Sequence, residues 1–564
     1  MVKKNPIFLA ICANIIFFFI YLIFGQLKHG SLDDYFMSSV LTGAYGSVYD
    51  VHMYFVNSVY GYFLKPFYIL FPKVGWYFIF ELVGTFSSFI IFTYFLIRRM
   101  GNVWGTALSA LLLAALTPDF YFQLSFTQCA TIYTAAGLLL AYFGISEQEK
   151  RFLVLSGCFL IAGSVMRYEG FLLGLPYLIL LLLPLMRIQR YFAIKAIALF
   201  AFFFLAIFTL HSYDKTLYEE GDYKYYAEYQ PIRAYFGDGA FYDREATYDE
   251  LEERGFSGPD FNLLKSWMFY DTEVFHKDSL LPIKDVAQNN LYEPNLKRLP
   301  IAFFLAVSNA LTRGNGWCWA TLCFLLLLAK TKRGAIYPWF SLGIVALSIG
   351  YLLLVNRLAY HVVSGIWLYA IVLSIPFQDS VIFNKEQISL KWKVVMLGGI
   401  LLAAFALGFN EVSTQQRSNE DTTSSNNKCS KTHSWMEFAQ YAKNHPNHVF
   451  LLSFERYKEL GSVRNPAYLA IEPGAFDNIF SWGYWNIHLP AMKAELAKRG
   501  VENPIRDIVH NNVYLMEDMN KASLIDFYKE HYNESLRVDT AKSFGDLMLL
   551  KYRLTYKKKE NNNE

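Results

Sequence analysis

Long apolar stretches alternate along the chain with short polar turns, many of which carry Lys or Arg. The stretches run to about 16–22 residues, the length at which a helix crosses the hydrocarbon core of a bilayer. This pattern predicts an α-helical polytopic membrane protein with about eleven transmembrane helices. The predicted spans are 6–24, 77–97, 103–117, 124–143, 152–166, 171–186, 193–210, 317–329, 336–355, 362–377 and 394–409.

The basic residues predict how these spans are oriented. Lys3 and Lys4 precede the first span, and pairs such as Arg98-Arg99 and Lys150-Arg151 recur at alternate turns. Because Lys and Arg collect in cytoplasmic loops, the N-terminus is predicted to be cytoplasmic and the chain beyond the last span extracytoplasmic.

Two weaker apolar stretches are not counted as spans. Residues 299–312 are too few to cross a bilayer comfortably, so we expect a re-entrant or interfacial helix there. Residues 54–71 are aromatic but are interrupted by Asn57, Lys65 and Pro66, and they predict a helix lying along the outer interface.

The polar segments divide the chain into domains. The predicted units are a transmembrane domain (1–410) with outer loops at 26–76 and 211–298, a linker (411–430), an extracytoplasmic α/β domain (431–556, here called the tail domain) and a disordered tail (557–564). Within the tail domain, apolar runs at 449–453, 513–516 and 547–550 predict strands, and helical patterns lie between them at 489–499 and 521–531. The 211–298 loop holds 18 acidic against 10 basic residues, an excess that fits an outer loop.

Composition and the absence of known motifs limit the partners and reactions to be expected. The chain is 54% hydrophobic with a net charge of +3, which gives no reason to expect nucleic acid as a partner. Its six cysteines are scattered without metal-ligand spacing. Phosphate-loop, serine-hydrolase and zinc-hydrolase motifs are absent from the sequence. We therefore expect no cofactor and no metal site.

The most informative local feature is Asp33-Asp34, which follows the first span. Two adjacent carboxylates at a membrane surface suit a general base or a metal ligand, because mutual repulsion raises one pKa toward neutrality. The alternative is structural: Ser31, Asp33 and Asp34 are also typical of a helix N-terminus.

Further polar side chains fall at the outer ends of other predicted spans. They are Asp119, Arg167, Glu169, Arg357 and His361. Charges this close to hydrocarbon are usually placed for function or for mutual pairing. If the site is functional, Arg167 and Arg357 suit a phosphate or diphosphate, and one outward cavity should gather them with Asp33 or Asp34. If it is structural, Arg167 and Glu169 pair with one another, or with Asp119, as a lock.

This arrangement resembles the GT-C class of membrane glycosyltransferases, in which an acidic residue in the loop after span 1 acts as catalytic base. More closely, residues 33–46 (DDYFMSSVLTGAYG), 167–170 (RYEG) and 255–271 (GFSGPDFNLLKSWMFYD) resemble a group of bacterial polytopic membrane proteins common in Firmicutes and gut bacteria. The resemblance extends over most of the membrane part and loosely over the tail domain.

The resemblance implies a GT-C-like architecture in a bacterial plasma membrane. It also implies transfer of a sugar from a polyprenyl-phosphate carrier to an envelope glycan or other acceptor, with Asp33 or Asp34 as base and Arg167 or Arg357 on the leaving phosphate. Two alternatives remain open: a non-enzymatic transporter or binding protein for lipid-linked glycans, and a structural sensor. The apolar span centres favour an interfacial site over a transport path.

Overall fold

The computed structural model describes most of the chain. The described residues are 5–25, 27–188, 190–237, 243–268, 270–289, 299–312, 314–329, 331, 334–355, 358–380, 389–423, 426–453, 456–457, 459–460, 466–516 and 521–555.

Helices dominate the part of the chain before the tail domain. The first ten are α1 (Pro6–Phe24), α2 (Leu32–Leu41), α3 (Ser58–Leu70), α4 (Trp76–Met100), α5 (Asn102–Thr117), α6 (Phe126–Ser146), α7 (Lys150–Met166), α8 (Tyr168–Leu172), α9 (Leu175–Ile188) and α10 (Arg190–Tyr218). The next nine are α11 (Tyr223–Gly237), α12 (Arg244–Glu253), α13 (Gly258–Lys265), α14 (Lys277–Asn289), α15 (Leu299–Thr312), α16 (Asn315–Ala329), α17 (Tyr337–Leu354), α18 (Tyr360–Val372) and α19 (Leu390–Thr423).

Eight helical segments among the described residues are long and apolar enough to cross a membrane. Three shorter apolar helices accompany them, at Tyr168–Leu181, Leu299–Ala310 and Asn315–Ala329. The chain is therefore a helical membrane protein, as predicted. The eight fall short of the eleven predicted spans because α7, α9 and α16 are shorter or carry charges at their ends.

The helices pack around α6, which is almost wholly buried, whereas the apolar part of α19 faces outward. Glycines let α7 approach α6 closely. A Cβ at Gly137 would meet Leu160, and a Cβ at Gly163 would overlap the Thr134 hydroxyl. Small residues at such contacts are typical of membrane helix pairs, where dispersion replaces the hydrophobic effect.

Contacts between loops join helix ends in two groups. In one group, Gly30 N–H donates to Leu124 O (2.6 Å), and Asn57 N–H donates to Val165 O (3.0 Å). In the other, Arg98 at the end of α4 pairs with Glu147 (3.0 Å), which follows α6 at the opposite end from Leu124. These are the ends that the pattern of basic residues assigns to opposite sides of the membrane.

The tail domain is built on a five-stranded sheet. Its elements are α20 (Asn426–Asn444), β1 (Val449–Leu452), β2 (Ile479–Ser481), α21 (Pro490–Lys498), β3 (Val513–Met516), α22 (Lys521–Tyr532), β4 (Leu536–Phe544) and β5 (Leu547–Leu554). The strand order is β2-β1-β3-β5-β4, with β1 parallel to β2 and β3, and with β5 antiparallel to β3 and β4.

Several predicted elements have the expected positions. A helix occupies 299–312, α3 fills most of 54–71, and the apolar runs at 449, 513 and 547 are β1, β3 and β5. The predicted linker is helical in its described part, since α19 runs to Thr423 and α20 starts at Asn426. The predicted tail 557–564 lies outside the described residues.

Three polar units pack against one another in their described parts. They are the first outer loop (26–76), the acidic loop 211–298, here called the insertion, and the tail domain (431–556). Phe36 of α2 stacks on Tyr457 of the tail domain with ring centroids 3.9 Å apart, and Gly474 N–H donates to Gly43 O (2.9 Å). Insertion and tail domain meet where His531 bonds Asp260 (2.6 Å). The three polar units therefore form one body on the side of the bundle that carries Asp33 and Asp34.

Candidate functional site

The site is built on the N-terminus of α2. Ser31 caps this helix by accepting from the N–H of Asp34 (3.2 Å), and its hydroxyl donates back to the Asp34 carboxylate (2.6 Å). A Ser followed three residues later by an acid is typical of a reciprocal cap. The structural alternative, that these residues form a helix N-terminus, is therefore observed, and Asp34 takes part in it together with Ser31.

Asp34 also holds two other helices. Its carboxylate accepts from the Tyr77 hydroxyl (2.8 Å) near the start of α4 and from the N–H of Phe126 (3.1 Å), the first residue of α6. That N–H has no partner within its own helix, so Asp34 caps α6 as well as α2. Burial raises the pKa of Asp34 to about 7, even though the hydrogen bonds from Ser31, Tyr77 and Phe126 oppose the shift.

Asp33 has a different environment. It is partly exposed, and its carboxylate accepts a hydrogen bond from the hydroxyl of Tyr484, which belongs to the tail domain. Burial and the nearby Asp33 charge raise the pKa of Tyr484 well above its usual value, so this phenol stays a donor. Of the two carboxylates, Asp33 is the one that a substrate can reach.

A series of side-chain contacts connects Asp33, through Tyr484, to a buried arginine. Trp267 of the insertion stacks on Tyr484 (centroids 6.1 Å apart), and the guanidinium of Arg233 lies over the Trp267 ring at 5.4 Å. Arg233 Nε donates to Gln230 (2.8 Å), while Nη1 is buried and has no hydrogen-bond partner among the described residues. Within the described part of the chain Arg233 has no acidic partner, and a buried guanidinium without a counter-ion is costly, so this position is suited to an anion.

Arg167 lies near Asp34, at the start of α6. Its Nη1 donates to Thr127 (2.7 Å), and its guanidinium lies 5.1 Å from the centroid of Phe126, whose N–H binds Asp34. It also pairs loosely with the exposed Glu169, at 3.5 Å. Arg167 is thus one residue removed from Asp34, while Glu169 points toward solvent.

Asp119 belongs to a separate cluster. Its carboxylate accepts from Asn315 of α16 (2.8 Å) and from the Tyr360 hydroxyl of α18, and its carbonyl accepts from Gln128 (2.9 Å). His361 is partly exposed beside Tyr360. This arrangement is a lock between helices. Arg167 pairs with Glu169, which is one of the two structural arrangements predicted, and its described contacts do not include Asp119. Arg357 lies outside the described residues.

The expected single cavity is not formed by these groups. A cavity of about 780 Å³ borders α2, but Asp33, Asp34 and Arg167 are not among the described residues that line it. It contacts Ser38 and Thr42, whereas Asp33 lies on the largely opposite face of the helix. No cluster of three or more His, Cys, Asp or Glu suited to a metal occurs among the described residues.

Three residues of this region were missed in the sequence. Tyr484 and Arg233 stand in segments whose local patterns carry no special signal. Glu81 is more informative: it is fully buried in α4, and its carboxyl group lies beside that of Asp34. A carboxylate inside an apolar span is by itself a signal of function, and it could have been read from the sequence.

No protein-family model matches the chain, and no curated protein sequence is significantly similar to it. What the site does must therefore be argued from its own residues.

Proposed function

We propose that the protein is a GT-C-type membrane glycosyltransferase of a bacterial plasma membrane. It transfers a sugar from a polyprenyl-phosphate carrier to an envelope glycan or other acceptor on the extracytoplasmic face. The main support is the position of Asp33: a reachable carboxylate at the junction of bundle, insertion and tail domain, near Tyr484 and Arg233, with Arg167 beside its neighbour Asp34.

In this reaction Asp33 is the general base. It takes the proton of the acceptor hydroxyl as that oxygen attacks the anomeric carbon of the donor sugar. The bond from the anomeric carbon to the phosphate oxygen breaks, and its electron pair leaves with the polyprenyl phosphate. Asp34 does not contact substrate in this scheme; it is a positioning residue that fixes α2 against α4 and α6.

Arg167 and Arg233 stabilise the charge that develops on the departing phosphate. A guanidinium presents paired N–H donors that match phosphate oxygens, and donors fixed in advance are worth most at the transition state. Arg233 supports this role, because its Nη1 has no acceptor in the part of the chain that the structure describes, and a bound phosphate would supply one.

The proposed orientation places the α2 side of the bundle outside the cell. It is supported by the basic residues at the other helix ends, such as Arg98 and Arg99, and by the acidic insertion, which packs on the α2 side. Reporter fusions at Gly334 and Asn427 are expected to report the cytoplasm and the exterior respectively. The reverse result would show that 299–312 crosses the bilayer, and it would put the tail domain on the opposite side of the membrane from Asp33.

One observation favours a second candidate, a transporter or binding protein for lipid-linked glycans. Glu81 is an ionisable group buried within α4, and such residues often mark transport paths. If Glu81→Gln abolishes function while Asp33→Asn does not, this candidate replaces the first.

The deciding experiment compares Asp33→Asn with a deletion strain and with Asp546→Asn, an exposed carboxylate in the β4–β5 turn. Membrane levels are matched by immunoblot, and cell-surface glycans are analysed by mass spectrometry. We expect Asp33→Asn to reproduce the deletion phenotype and Asp546→Asn to resemble the wild type. Glycans unchanged in the deletion strain would rule out the transferase.

A further inference from the structure

The cavity of about 780 Å³ next to α2 lies between the membrane part and the tail domain. One wall comes from Tyr35 and Ser38 of α2, from Thr42 just after it, and from Tyr77 and Phe78 at the start of α4. The other comes from α20 and from residues 466–479. Its size is in the range that binds a small molecule or several units of a polymer.

The deeper part of the cavity is aromatic, and it contains polar atoms without partners. Tyr68, Tyr77 and Trp435 are nearly fully buried there. The indole N–H of Trp435 and Nδ1 of His29 are buried and have no hydrogen-bond partner within the described structure. Leaving such atoms unpaired costs free energy, so the cavity is suited to a ligand that offers both donors and acceptors.

The charges around the cavity balance. Lys443 and Glu472 both lie exposed at its rim. Burial lowers the pKa of His29 to about 3, so this imidazole is neutral at physiological pH. A cavity with one positive and one negative group at the rim has no electrostatic preference for an anion or a cation.

We propose that this cavity binds a neutral, hydroxyl-rich ligand, a segment of an uncharged oligosaccharide. Aromatic faces accommodate the C–H faces of sugar rings, while the Trp435 N–H and His29 Nδ1 bond hydroxyls. The idea that this oligosaccharide is the acceptor glycan rests on the proposed function. The link would be Tyr77, which lines the cavity and donates to Asp34.

Binding is tested on the full-length protein in detergent micelles. An array of neutral, acidic and basic oligosaccharides identifies the best probe, and isothermal titration calorimetry measures its affinity. Ala439→Trp fills the cavity from α20, and Ala497→Trp, on an exposed face of α21, is the matched control. We expect Ala439→Trp to abolish binding of a neutral probe and Ala497→Trp to leave it unchanged.

Trp435→Phe provides a second variant, because it keeps a ring and removes the N–H. We expect about tenfold weaker binding, the effect of losing one net hydrogen bond. The inference is overturned if no oligosaccharide on the array binds, if charged probes bind better than neutral ones, or if both Ala439→Trp and Trp435→Phe bind like the wild type. Two results together separate this inference from the proposed function. If the wild type binds the neutral probe saturably but Asp33→Asn leaves surface glycans unchanged, the cavity is a binding site for oligosaccharide and the protein is not the transferase.

Discussion

Two buried carboxylates, Asp34 and Asp119, occupy similar positions at helix ends but sit in different kinds of surroundings. Asp119 takes its donors from α16 and α18, both helices of the bundle. Asp34 takes its donors from α2, α4 and α6, and its neighbour Asp33 contacts the tail domain through Tyr484. A carboxylate at the end of a span is therefore not in itself a sign of a site. The convergence of separate segments of the chain is a better one.

The largest expected difference between the two regions is in turnover. Arg233→Lys keeps the charge but loses the guanidinium fork, and we expect sugar transfer to fall about 10²-fold, as when one fixed donor to a developing anion is removed. Asp119→Asn should act only through the amount of folded protein. Transfer from a polyprenyl-phosphate sugar, measured with purified protein in nanodiscs and normalised to folded protein, distinguishes the two. If Arg233→Lys and Asp119→Asn lost the same transfer activity per amount of folded protein, the region of Arg233 would not differ from that of Asp119 in function.

Truncation of Asp34 is the next largest expected effect. Asp34→Ala leaves the Tyr77 hydroxyl and the Phe126 N–H buried without an acceptor, and we expect it to lower the free energy of unfolding by about 2–4 kcal/mol. Asp34→Asn keeps an acceptor oxygen and should cost about 1 kcal/mol. Thermal unfolding in detergent measures both. If the two variants are equally stable, Asp34 does not hold the helices together.

The raised pKa of Asp34 predicts a dependence of stability on pH. Between the ordinary carboxyl pKa near 4 and the folded value of about 7, the folded protein holds a proton that the unfolded chain has released. Asp34 therefore makes stability fall as the pH rises through this window. Melting temperatures of wild type and Asp34→Asn, measured across pH 4–8, should converge toward the alkaline end. Parallel curves would show that another group titrates.

The smallest expected effect is at Asp119. Tyr360→Phe removes one hydroxyl donor and leaves the Asn315 amide in place, so we expect a loss of about 1 kcal/mol. Leu358→Ala on the neighbouring turn controls for disturbance of this segment. If Tyr360→Phe lost as much stability as Asp34→Ala, the Tyr360 hydroxyl would hold Asp119 almost alone, with little contribution from Asn315.

The elements of this fold were predictable where a local pattern sets them. The apolar stretch at 299–312 is a helix with those bounds, and Val513–Met516 is a buried strand. Strands β2 and β4 were missed. Ile479–Ser481 is only three residues long, and Leu536–Phe544 lies at the sheet edge with a mostly exposed, polar surface, so neither shows the apolar alternation of a half-buried strand.

The candidate site was predictable only in part. Asp33 and Asp34 were identified from their place after span 1, but the sequence could not separate their environments. That separation depends on Tyr484, 451 positions along the chain, and on Trp267 and Arg233 in the insertion. Contacts at such distances are set by tertiary packing rather than by any local spacing. The same holds for Asp119, whose partners Asn315 and Tyr360 lie 196 and 241 positions along the chain.

The 451-residue separation between Asp33 and Tyr484 also orders the assembly of the protein in time. Span 1 and α2 leave the ribosome before the rest of the bundle, whereas Tyr484 is made only after all the predicted spans have been synthesised. The membrane part can therefore be inserted while Asp33 still lacks its partner. Folding of the tail domain is then a maturation step, and a nascent chain lacks the contact between Asp33 and Tyr484 until this domain has been synthesised.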